Sequence, residues 1–483
     1  MTPMNSTQKH EDLRLGYIWL ISLVAAMGGL LFGYDWVVIG GAKPFFEPFF
    51  GITTDVVTDG VSKLATDKGL SGWANSCALL GCLAGAIFVG GMSDKFGRKR
   101  LLIVSALLFA ASSVLTGWAL SFTTFVLWRI CGGVAIGMAS GLSPMYIAEV
   151  APAHMRGRLV AINQLTIVIG VLAAQVVNWL LAQPVPDGTT AAFIRDSWNG
   201  QYGWRWMFTA VSAPSALFFI GASLIPESPR WLVKNGRADS ALGILTRIGG
   251  PRFAAAAVAD IQNTIATEEV GRVRFADLLE PRMTKILLVG VTLAVLQQWS
   301  GINVIFNYAE EIFRQAGYGV SSILFNIVIT GVVMLLFTLI AIQTVDHFGR
   351  RKLMLIGCAA IGLFHAMIGI CFALGLKGLI VVIPVMATIA SYSFSLAPVT
   401  WVLIAEIFPN RIRGAAVSVA VSSLWIACFI LTYTFPLLND SLGAAKTFWL
   451  YAGICAAGFV FILQRVPETK GKSLEQIERE LVD

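Results

Sequence analysis

Residues 94–100 read DKFGRKR, and residues 346–352 read DHFGRRK. Each basic loop lies between two long apolar segments, so a membrane-spanning unit occurs twice in one polypeptide. Outward from these loops, further pairs follow in the same order. YIAEVAPAHMRGR at 146–158 parallels LIAEIFPNRIRG at 403–414, and PESPRW at 226–231 parallels PETKG at 467–471. Such a duplication suits a carrier that moves one half against the other, rather than a static pore or a catalyst.

The composition agrees. The chain has 483 residues, 56% hydrophobic and 13% charged, with a mean hydropathy of +0.74. Soluble domains carry about 25% charge, and a helix crosses the hydrocarbon with roughly 20 apolar residues. Twelve spans are predicted, near 16–42, 70–92, 101–119, 122–148, 159–182, 205–225, 285–309, 321–345, 353–375, 378–405, 414–437 and 445–464. The fold class is therefore an all-α membrane protein of two six-helix halves related by pseudo-symmetry. The halves cover 1–225 and 285–464, with a charged linker of short helices at 226–284 and a tail at 465–483. The first apolar run is too long for a cleavable signal peptide and contains Asp35, so it reads as a span.

A net charge of +7 does not imply a nucleic-acid partner here. Most Lys and Arg fall on alternate loops and both tails. The other side carries only Lys43, Lys63, Lys68, Arg195, Arg205, Arg314, Lys377 and Lys446, while Arg129 lies inside a span. This is an orientation signal that places both termini in the cytoplasm. The seven cysteines fall within spans and read as small buried hydrophobes, and four scattered histidines make no metal-ligand pattern. No nucleophile–base set suggests an enzyme, and no cofactor is expected.

The chain resembles a sugar porter of the major facilitator superfamily, close to bacterial sugar–proton symporters such as xylose carriers. The resemblance spans about residues 16–475 and rests on GGLLFGYD (28–35), GGMSDKFGRKR (90–100), PESPRW (226–231), QQWSGIN (297–303), DHFGRR (346–351), EIFPNRIRG (406–414) and PETKGKSLE (467–475). It implies the major facilitator fold, a bacterial inner-membrane location and import of a monosaccharide, pentose or hexose, with a proton. The expected partners are thus the sugar, the proton and membrane lipid, with the monomer as the working unit. A proton-independent uniporter and a transporter-like sugar sensor are the rival readings; the short tail after PETKG is expected to leave no room for a signalling extension.

Two charge clusters flank the basic loops. Asp94, Arg98, Glu149, Arg156 and Arg158 lie in the first half, and Asp346, Arg350, Glu406, Arg411 and Arg413 in the second. Acids facing several guanidinium groups can form bidentate pairs, which reads as a gate latching the cytoplasmic side. The resemblance adds Glu227, Arg230 and Glu468. The alternative is that these loops only hold orientation, but that leaves the matched acids unexplained.

Asp35 is buried mid-span, where a carboxylate costs several kcal/mol unless paired or protonated. Arg129 is its expected partner, and a pair that opens and closes would switch proton affinity. A permanent structural ion pair is the competing reading. The resemblance supports coupling, because sugar–proton symporters carry an aspartate after FGY.

A sugar calls for amides, which match hydroxyls without burying charge, and for an aromatic face. Gln164, Gln297, Gln298 and Asn303 supply the amides, and Trp401, Trp425 and Phe32 the rings; the resemblance places all seven at sugar-contacting positions. An interruption at Ser300-Gly301 would turn the seventh-span amides to one cavity. The chain departs from the xylose carriers at Val171 and Leu424, where they have glutamines, and at Asn307, where they have tyrosine. Two hydrogen-bonding positions are lost and one exchanged, so the ligand is not expected to sit as xylose does. His365 reads as a packed contact, Glu310 and Glu311 as a solvated helix end with an outer gate as the alternative, and Pro384 and Pro398 as hinges of the tenth span.

Overall fold

The computed structural model describes residues 13–58, 61–152, 154–186, 188–270, 278, 280–408 and 413–470. Twelve helices are long and apolar enough to span a membrane: Leu15–Phe49, Lys68–Phe96, Arg98–Gly117, Phe122–Val150, Arg156–Leu181 and Asn199–Leu224 in the first half, then Met283–Asn307, Val320–Thr344, Arg350–Ala373, Leu379–Ile404, Gly414–Leu442 and Ala444–Arg465 in the second. Small residues set their close approach. The first and fifth spans interlock through Gly33 and Gly170: a Cβ on either would overlap a backbone carbonyl of the other helix, Ile167 or Leu30.

Two spans are broken where they meet the centre of the bundle. The seventh stops at Trp299, passes through Gly301 at φ +85°, and resumes at Ile302–Asn307. That left-handed turn suits glycine, and the His365 ring packs against it, with Nε2 2.8 Å from the Ser300 carbonyl. The tenth divides at Ser395 into Leu379–Phe394 and Leu396–Ile407. The break falls between the two expected hinge prolines, not at either. Pro398 sits in the first turn of the new segment, where a missing N–H is not felt.

The linker holds a short helix, Pro229–Lys234, and a longer rod than expected, Ala238–Val270, bent at Gly249 and Gly250. An unanticipated antiparallel hairpin, β1 (Thr53–Thr58) with β2 (Val61–Thr66), joins the first two spans. Asp55 fastens it by accepting from the Ala191 and Ala192 amides at 2.8 and 3.0 Å.

The sequence repeat has a physical counterpart at the basic end. Glu227 accepts from the Arg98 and Lys99 amides, both at 3.0 Å. Glu468 accepts from the Arg350 and Arg351 amides at 2.9 and 3.2 Å. Each acid comes from just beyond the last span of its half and caps the third span of that half, where the helix dipole favours negative charge. Gly97 (φ +88°) and Gly349 (φ +89°) turn the chain into those helices, and a Cβ on either would collide with the capping carboxylate.

Candidate functional site

At mid-depth, Arg129 Nη1 lies 2.9 Å from Asp35 Oδ1, joining the first and fourth spans. Both residues are buried, at 3% and 4% exposure, so neither charge is served by solvent. The guanidinium also lies over the Phe208 ring, 5.5 Å from its centre. Asp35 Oδ2 has no hydrogen-bond partner among the described residues. The expected pair is therefore formed, with one carboxylate oxygen left over.

The seventh-span amides form a chain across the helix break. Asn303 donates to Gln298, Gln298 Nε2 lies 3.3 Å from Gln297 Oε1, and Gln297 Nε2 lies 3.3 Å from the Leu396 carbonyl. Asn303 also lies 3.4 Å from Cys428 Sγ on the eleventh span. The break brings together groups that a straight helix would spread around its surface. Asn307 is buried with its Oδ1 unpartnered among the described residues, and so is the Trp425 indole N–H. Gln164 is half-buried. Trp401 remains 38% exposed and is not among the rings that meet Trp425.

Those rings are Phe32 and a residue the sequence reading passed over, Trp36. Phe32 and Trp36 are separated by one helical turn and meet at 5.9 Å, and each reaches Trp425, at 6.1 and 5.9 Å. Val171 and Leu424 are buried and apolar, as their identities require.

At the basic end each half carries its own cluster of ion pairs. Arg98 bridges Asp94 at 3.1 Å and Glu149 at 2.9 Å, and Lys234 reaches Asp94 at 2.6 Å. In the second half Arg350 lies 3.4 Å from Glu406, which also accepts from Thr469 at 2.6 Å. Arg156 and Arg158 are exposed and enter none of these pairs, and Arg230 is half-buried beside Glu227 in the chain. Arg411 and the side chains of Asp346 and Arg413 lie outside the described residues.

The opposite end is where the halves lock. Lys43 of the first span lies 3.4 Å from Glu311, just past the seventh, and Lys68 approaches the same carboxylate at 3.6 Å. Lys43 is buried and lies over the Tyr308 ring at 4.6 Å. Glu47 accepts from Ser71 at 2.5 Å and Thr53 at 3.0 Å. Burial raises the Glu311 carboxyl pKa, but Lys43 and Lys68 outweigh it and hold the group below its ordinary value. Gln175 and Thr330 add a further link between the halves at 3.2 Å. The expected solvated helix end at Glu310 and Glu311 is thus corrected. Glu310 is buried beside Arg314, and Glu311 closes on lysines from the other half.

A family model described as "Sugar (and other) transporter" matches residues 21–481. An arabinose-proton symporter of Bacillus subtilis is 37% identical, over 98% of this chain and 96% of its own. A D-xylose-proton symporter of Escherichia coli is 38% identical, over 96% and 95%. Among solved structures, the xylose transporter of Escherichia coli in a partially occluded inward-open conformation aligns with a TM-score of 0.81 at 34% identity. It covers 95% of this chain and 100% of that one.

Proposed function

The chain belongs to the sugar (and other) transporter family, and from that premise we propose that it imports a monosaccharide together with a proton by alternating access. The Asp35–Arg129 pair carries the reading. Arg129 makes a carboxylate tolerable at that depth, while the free Oδ2 offers a place for a proton. Protonation of Asp35 removes its attraction to Arg129 and frees the first span to move against the fourth. The sugar binds between the halves, its hydroxyls on the amides of Gln164, Gln297, Gln298, Asn303 and Asn307, with Phe32, Trp401 and Trp425 supplying ring surface.

In this reading the basic end faces the cytoplasm, both termini lie inside, and the protein resides in the cell membrane. The Lys43–Glu311 closure is then the outer gate, and the conformation faces inward. Asp94, Arg98, Glu149, Arg156, Arg158, Glu227, Arg230, Asp346, Arg350, Glu406 and Arg413 form the inner gate, which joins across the halves when that side shuts. One chain supplies both walls of the cavity, so the monomer is the working unit. At about 150–180 mV, one proton supplies about 3.5–4 kcal/mol, enough for several-hundredfold accumulation.

The test is sugar uptake by purified protein in liposomes under an imposed proton gradient. Accumulation that a protonophore abolishes, with alkalinisation of the outer medium when sugar is added, is expected. Flux only down the sugar gradient leaves a uniporter, and binding without flux leaves a sensor.

A further inference from the structure

On the outer flank of the second half, the eighth, ninth and tenth spans part around a crevice of about 340 Å³. Small residues hollow it out: Gly357 and Ala360 on the ninth span, Ala387 and Ala390 on the tenth. Phe337, Phe364 and Phe394 line it as half-buried rings. Its two side-chain hydroxyls already donate within their own span, Ser391 to the Ala387 carbonyl at 2.7 Å and Ser395 to the Ser391 carbonyl at 2.5 Å. Among the described residues no charged side chain lines it. Ile356 in its wall, and Leu363 and Ile383 beside it, are exposed, so the crevice is continuous with the lipid-facing surface. Gly357 and Phe364 lie roughly 10 and 20 Å along the ninth span from its inner end, which is hydrocarbon depth.

The crevice backs onto the break in the tenth span. A Cβ at Gly357 would lie 2.0 Å from Ser395 Oγ and 2.5 Å from Leu396 Cδ1, so the ninth span meets the break at a bare backbone position. Beyond the break, the Leu396 carbonyl receives Gln297 Nε2 at 3.3 Å, and the same segment carries Trp401 and Glu406. We infer that the crevice is a binding site for one acyl chain of a membrane phospholipid, which packs against the break and keeps it mobile. The chemistry selects this occupant. Apolar walls with satisfied hydroxyls give a polar ligand nothing in return for its hydration, and water stays out of apolar hollows. The surrounding medium is hydrocarbon, and an empty hollow would forfeit dispersion contacts along its lining. A flexible chain restores those contacts and reshapes as the break flexes, which a rigid ring cannot do. The site lies off the sugar path, and its existence does not depend on the solute carried.

Photolabelling and exchange test the two parts of this inference. The full chain is reconstituted in phosphatidylcholine vesicles containing a phosphatidylcholine with a diazirine midway along one acyl chain, and labelled peptides are identified by mass spectrometry. Labelling is expected to concentrate on residues 356–364 and 387–394, several-fold above the lipid-exposed Leu107 and Leu217. Ala390→Phe, which fills the crevice with a ring, should abolish that excess. It should also slow counterflow of labelled D-xylose or L-arabinose about tenfold, with the half-saturating concentration unchanged. Ala360→Leu, a smaller filling, should shift both readouts in the same direction and serves where Ala390→Phe does not fold. Labelling no greater than at Leu107 and Leu217 overturns the site. Excess labelling in the wild type with normal exchange in the filled variants overturns the role at the break. Exchange of neither sugar by the wild type removes the import reading, while the labelling still decides the site.

Discussion

Lys43 and Glu311 meet across the two halves at 3.4 Å, although 268 residues separate them in the chain. Lys43 has left solvent to make this contact, and Lys68 and the Tyr308 ring surround the pair. A charge pair this enclosed costs desolvation and returns it only while both partners are present. It therefore favours the conformation in which that end is closed, and losing one partner exposes the cost.

Glu311→Gln and Lys43→Met should each lower the melting temperature of the detergent-solubilised protein. A double-mutant cycle should return a coupling of about 1–3 kcal/mol, above the 0.2–1 kcal/mol of exposed pairs. A coupling near zero would mean that the contact holds nothing together.

The same pair sets a pH dependence. The folded protein holds Glu311 below its ordinary value of 4.5, so its stabilisation is present above that value and is lost as pH falls through the lowered one. The melting-temperature gap between wild type and Glu311→Gln should be constant from pH 6 to 8 and shrink only below about pH 4.5. A gap that fades between pH 8 and 6 would contradict this sign.

Asp35→Asn keeps the shape of the site and removes the proposed proton acceptor. Counterflow exchange should persist, while concentrative uptake falls from several-hundredfold to about unity. Retained accumulation in this variant would place the coupling proton elsewhere.

Gln298 sits in the middle of the amide chain, with both neighbours bonded to it. Gln298→Leu should weaken sugar binding by about 10–100-fold, as read by isothermal titration, because sugar hydroxyls and Asn303 lose a partner together. An unchanged affinity would take the seventh span out of the site.

Gly97→Ala and Gly349→Ala should each cost about 1–3 kcal/mol of stability, since both positions have a backbone conformation that side chains rarely adopt. Equal losses in thermal melts would show that the two capped turns bear equivalent strain. A neutral result at either would show that its turn can relax.

The spans, the duplication and the helix break at Ser300-Gly301 were legible because each rests on local chemistry: apolar run length, a repeated motif, a glycine between polar residues. Asp35 and Arg129 could be paired by elimination, as the acid and base set deepest in the apolar spans. Glu311 was only half legible: its position allows an outer gate, but its own surroundings read as an ordinary helix end and its lysine partners lie in the other half. Trp36 was hidden for a different reason. A tryptophan in an apolar span usually faces lipid, and only the ring contacts with Phe32 and Trp425 show where this one packs. The hairpin at 53–66 escaped because its β-branched residues sit in a connection too short to form a core of its own.

Asp35 and Arg129 both belong to the first lobe, whereas the amide chain belongs to the second. In the proposed mechanism the proton site and the amide chain thus sit in different lobes. Under that proposal, stoichiometric fidelity is enforced at the contacts between the lobes, among them Phe32 and Trp36 on Trp425, Gln175 on Thr330 and Lys43 on Glu311. Damage there would produce slippage, with protons leaking inward unaccompanied, even though each cargo still bound normally.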